Sequence, residues 1–146
     1  MIKFLINNWH QALVLTGEHL FIVLVATSLA AAIGIPLGIL ISAKEDWAPV
    51  VINLANIIMT IPSIALFGIM LPLLSIFNAG LGTVPVVIAL ILYSQLPIIR
   101  NTYTAIKNID PAVVDAAKGI GLSTWRRLIE VELPLALPVI IAGLRI

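Results

Sequence analysis

The chain has no cysteine in its 146 residues, so neither a disulfide framework nor a thiolate metal site is open to it. Charge is scarce as well: Asp, Glu, Lys and Arg make up 10% of the residues, against about 25% in soluble domains. No glycine-rich phosphate loop carries a lysine. Neither histidine is set against a carboxylate in the manner of a catalytic triad or a zinc-binding helix, so the usual marks of nucleotide binding and hydrolysis are missing. His10 and His19 stand nine apart with Glu18 beside the second, which is neither the spacing nor the ligand count of a metal site. What the sequence does have is hydrocarbon. With 61% apolar residues and a mean hydropathy of +1.16, it reads as an integral membrane protein made of helices. A formal charge of +1 gives no signal for nucleic acid, and the few basic residues bear on topology instead.

The first twenty residues carry Lys3 and then Asn7, Asn8, His10 and Gln11, which interrupt the apolar core that a cleavable signal needs. Ile2, Leu5, Ile6, Trp9 and Leu13 recur at helical spacing, so this segment is either an interfacial helix with Trp9 at headgroup level or a frayed terminus. Residues 20–43 have no charge and are long enough for a first span. Within them Ala26, Ala30, Gly34, Gly38 and Ser42 form a seam of small residues every fourth position, which predicts close approach of another helix, and Pro36 predicts a kink. Residues 48–77 are again uncharged but longer than one straight span, and Pro49, Pro62 and Pro72 divide them, so a kinked second span is expected. Asn53, Asn56, Thr60 and Ser63 fall on one face of that helix. They either bond a neighbouring helix or line a polar passage. After a turn cluster at 78–82, residues 83–99 give a third span that is barely long enough unless the helix runs on past Arg100.

Residues 110–134, DPAVVDAAKGIGLSTWRRLIEVELP, are the one long polar island. Asp110 before Pro111 reads as a helix start, Gly119 and Gly121 as its stop, and Ser123 as the cap of a second short helix. Lys44 and the five basic residues Arg100, Lys107, Lys118, Arg126 and Arg127 fall on one side, with Lys3 alone on the other. By the positive-inside rule the N-terminus is outside and the island cytoplasmic. Residues 134–146 open a fourth apolar segment too short to span, so the chain reads as one helical domain cut short.

Asp115-Ala116-Ala117, Gly121 six positions after the aspartate, and then Val131, Leu133 and Pro134 resemble the EAA loop of ABC-importer permeases. That pattern is Glu-Ala-Ala, three residues, Gly, nine residues, Ile-x-Leu-Pro, and the chain departs from it only in Asp115 for glutamate and Val131 for isoleucine. Residues 60–74 (TIPSIALFGIMLPLL) and 96–106 (LPIIRNTYTAI) are similar to the glycine betaine, carnitine and choline branch of those permeases, and the likeness runs from about residue 33 onward.

The resemblance implies an all-α polytopic bundle of the type I ABC-importer permease kind, truncated after the EAA loop, in the bacterial plasma membrane. It implies import of a small osmolyte with ATP hydrolysed by a separate subunit, so that the chain itself is no enzyme and holds no cofactor. A second permease copy and a solute-binding protein or fused binding domain complete the expected assembly. Asp115, Ala116, Ala117, Gly121, Leu133 and Pro134 would couple to the ATPase, joined by Trp125 as an exposed aromatic anchor. An amino acid or other small polar solute is the alternative cargo, and a non-functional truncated membrane fragment the alternative to transport. An ion-driven carrier is disfavoured, because the three spans contain no ionisable residue.

Overall fold

A computed structural model describes residues 8–145, and every regular element among them is helical. Lys3 and the apolar positions Ile2, Leu5 and Ile6 lie outside the described residues. Helix α1 runs unbroken over Trp9–Ala43, a length of about 52 Å at 1.5 Å per residue. The segment 9–19 is therefore neither a separate interfacial helix nor frayed; it forms the first turns of α1. A single 3₁₀ turn, Glu45–Trp47, leads into α2 (Ala48–Thr60), and α3 covers Ser63–Ser75.

Where one kinked span was expected, the path bends by 96° between Glu45–Thr60 and Ser63–Ser75. Pro62 has no N–H to continue the ladder and pushes Ile61 into an extended conformation (ψ 123°), which ends α2. The carbonyl of Ile61 is then taken up from outside the segment, because the Tyr93 hydroxyl donates to it at 2.6 Å. The break also shortens the expected polar face: Asn53, Asn56 and Thr60 stay together on α2, whereas Ser63 opens α3 beyond the bend.

Helix α4 spans Thr83–Lys107, so the third apolar segment does run on past Arg100. It is the central post, since each of the three apolar clusters among the described residues contains one of its residues. Ile99 packs with Ile41 and Ala48, Ala89 with Leu66 and Met70, and Ala105 with Ala136 and Ile140. The small-residue seam of α1 lies against it. A methyl group on Gly34 would fall 2.7 Å from Ile98 Cγ2, and one on Gly38 would fall 2.5 Å from Thr102 Cβ, so only glycine permits this approach. Partners four residues apart on α1 meet partners four apart on α4 in the same order, so the two helices run parallel. Gln95, buried in that interface, donates to Ile91 O at 3.1 Å and across to Ala30 O at 3.4 Å. Past α4 come α5 (Pro111–Gly119), a single turn α6 (Thr124–Arg127), a π-helical stretch Leu128–Glu132 and α7 (Leu133–Gly143), which descends antiparallel to α4 with Gly143 close to Asn101 and Pro97 O.

Candidate functional site

The polar island is a small knob at the end of the bundle where α1 and α4 both finish. Asp110 caps α5 by accepting from Ala112 N–H at 2.8 Å, and Pro111 occupies the first helical position. The helix closes on a turn at Gly121, whose φ of +84° belongs to the left-handed region. Gly121 N–H donates to Lys118 O at 2.9 Å and Leu122 N–H to Ala117 O at 3.2 Å, the paired bonds of a Schellman motif. Ser123 Oγ then accepts from Arg126 N–H at 3.4 Å and starts α6. The expected second short helix is a single turn that continues through the π stretch into α7, so the knob and the fourth apolar segment are one covalent rod.

Of the residues singled out by the sequence, Asp115, Ala116, Gly121 and Trp125 are exposed on this knob, while Ala117 is buried and Leu133 half-buried at the root of α7. Trp125 is 68% exposed, so it is not spent on the chain's own core. Asp115 pairs with Lys118 at 3.0 Å on the surface, a contact worth little in itself. Pro134 lies at the second position of α7, exposed. The knob thus carries the candidate coupling residues on its surface and at its root, with Asp115 on the side of the bundle. Asn53 and Thr60 are exposed and Asn56 is half-buried on α2, and Thr60 satisfies its hydroxyl locally on Ile57 O at 2.7 Å.

Between the knob and the ends of α1 and α4 lies a cleft of 480 Å³ with walls that include Ser42, Lys107, Asp115, Lys118, Arg127 and Glu132. Three ion pairs stitch its rim. Lys107 pairs with Glu45, tying the end of α4 to the turn after α1, Lys118 pairs with Asp115, and Arg127 Nε donates to Glu132 Oε1 at 2.6 Å. The first and third were not expected from the sequence, since one joins residues 62 apart and the other has a spacing of five, which an α-helix places on different faces. A second, smaller cavity of 180 Å³ lies among Thr27, Tyr93, Ser94, Ile98 and Leu144, at the depth of the apolar helices.

Comparison with known proteins gives this geometry a context. Residues 18–146 match the family described as binding-protein-dependent transport system inner membrane component. The chain is 46% identical over 144 residues to the osmoprotectant import permease protein OsmW of Salmonella typhimurium, covering 99% of this chain and 67% of that one. It is 43% identical over 145 residues to the glycine betaine/carnitine/choline transport system permease protein OpuCB of Bacillus subtilis, covering 99% and 64%. With the carnitine transport permease protein OpuCB of Listeria monocytogenes it shares 36% over 146 residues, covering 100% and 65%. The chain therefore spans about two thirds of the length of these relatives. A solved structure of the MetNI methionine ABC transporter in inward-facing form superposes with a TM-score of 0.75 at 24% identity, over 87% of this chain and 63% of that one, which shows the fold.

Proposed function

From the premise that the chain belongs to the family of binding-protein-dependent transport system inner membrane components, we propose that it is the membrane-spanning permease part of an ATP-driven importer. Its cargo is a small osmolyte of the glycine betaine, carnitine and choline kind, the solutes in its relatives' names. ATP is hydrolysed by a separate subunit, against which the knob of α5 and α6 seats. A second permease copy and an extracytoplasmic solute-binding protein or domain complete the assembly.

The observation that carries this reading is the knob itself. It exposes Asp115, Ala116 and Trp125 on its surface, joins their two short helices by a left-handed glycine turn, and is continuous with α7, which packs on the central post. A push on such a knob reaches the bundle without passing through a flexible loop. In the orientation proposed here the knob and Lys44 face the cytoplasm, consistent with the concentration of basic residues at that end and with the ion pair of Lys107 and Glu45 that holds the two helix ends together there. Co-purification with the ATP-binding subunit, followed by uptake of radiolabelled glycine betaine or choline into proteoliposomes supplied with the solute-binding protein, tests the proposal. ATP-dependent uptake of one of these solutes is expected, and a stable assembly that moves none of them rules out the osmolyte assignment.

A further inference from the structure

The link between knob and α7 is wound in a register of its own. In Leu128–Glu132 the helix is π-helical, closed by Leu133 N–H on Leu128 O, five residues back. Pro134 supplies a cause: in an α-helix its ring collides with the carbonyl four residues earlier, Glu130 O, and widening the preceding turn relieves the collision. Two adjacent arginines then meet two different spacings. Arg126 pairs with Glu130, four residues on, at 2.9 Å and in the open, as an α-helical pair does. Arg127 pairs with Glu132, five residues on, at 2.6 Å, with the two side chains only 18% and 12% exposed. On an α-helix residues five apart point about 140° away from each other, so this second pair exists only while the turn stays π.

We propose that Arg127 and Glu132 are positioning residues that lock the π register and thereby fix the rotational setting of the knob on α7. The inference rests on the coupling role proposed above. If the turn relaxed to α, the knob would rotate by about 100° and shift by about 1.5 Å along the rod relative to α7. Arg127 would then face Val131, and Glu132 would lose its partner in a half-buried place. With the lock closed, a displacement of the exposed face around Trp125 moves Ala136 and Ile140 against Ala105 of the central post. With it open, the same displacement is absorbed as a change of register.

The test uses spin labels at Ile120 and Val139, both exposed and on opposite sides of the π turn, in the assembled importer in lipid nanodiscs. With both labels on one of the two permease copies and the other copy unlabelled, the native assembly is expected to give one narrow distance. Glu132→Gln should broaden or split it and lower solute-stimulated ATP hydrolysis roughly tenfold, with the ATPase still bound. The exchange Arg127→Glu with Glu132→Arg should restore both, and Glu130→Gln, which touches only the α-spaced pair, should leave the distance narrow. A Glu132→Gln distance identical to the native one, or an exchange variant that stays broad, overturns the lock. If Glu132→Gln does not assemble, the exchange variant decides by the same two readings. The transport reading fails separately, through a native chain that binds no ATPase, since the distance can be read on the chain in nanodiscs without it.

Discussion

A single glycine turn sets the angle of the knob, and its chemistry allows a sharp prediction. Gly121 has φ +84°, and a Cβ added there would meet nothing within 4 Å, so a side chain would crowd no other part of the chain. The whole cost of a side chain is thus conformational. An ordinary L-residue in the left-handed region costs about 1–2 kcal/mol, which lowers the ratio of the native turn to its alternatives by a factor of roughly 5 to 30. Gly121→Ala should therefore lower solute-stimulated ATP hydrolysis in proteoliposomes by up to about that factor, Gly121→Val by more, and Gly121→Asn by least, because asparagine tolerates this conformation. Gly119 supplies the control. It has equally open surroundings without a positive φ, so Gly119→Ala should be neutral or slightly stabilising. Damage from Gly119→Ala equal to that from Gly121→Ala, or from Gly121→Asn equal to that from Gly121→Val, would refute the conformational explanation and point to direct contact with the partner.

Other outcomes follow from the same structure. Gly38→Ala places a methyl 2.5 Å from Thr102 Cβ in a fully buried spot and should lower thermal stability in detergent, by about 1–3 kcal/mol, with partial recovery in Gly38→Ala combined with Thr102→Gly. Tyr93→Phe leaves Ile61 O without its donor and should cost about 1 kcal/mol, read as a lower melting point and faster proteolysis near residue 61. Single cysteines at 78–82 should react with an impermeant reagent in intact cells, and one at Ser123 only after permeabilisation. The reverse pattern inverts the proposed orientation.

The features that were legible in the sequence are those governed by local rules. Asp110 with Pro111, and Ser123 three residues before Arg126, announce caps that the structure forms, and Gly121 marks a helix stop whose positive φ only a glycine takes without strain. The four-residue seam of α1 shows itself by size alone, because small side chains at that spacing have no other use than close packing. The 96° break was harder to see. Proline announces a kink, but how far the chain turns depends on contacts distant in sequence: α3 packs on Ala89 of α4, and Tyr93, thirty-two residues from Ile61, takes the freed carbonyl. The stripe from Asn53 to Ser63 loses only its last member for the same reason: Asn53, Asn56 and Thr60 share α2, and Ser63 lies past the break, since helical spacing holds only as long as the helix does. The π stretch left no periodic trace, because an ion pair spaced by five looks unpaired to any α-helical template, and the small hydrophobic positions around it fit either winding.

The most direct test of the account concerns the outward face of the knob. Asp115→Lys and Trp125→Ala, introduced into the importer in proteoliposomes, should each weaken capture of the ATP-binding subunit and reduce solute-stimulated ATP hydrolysis while the solute affinity of the binding protein stays unchanged. Loss of solute binding with ATPase association and stimulation intact would contradict it.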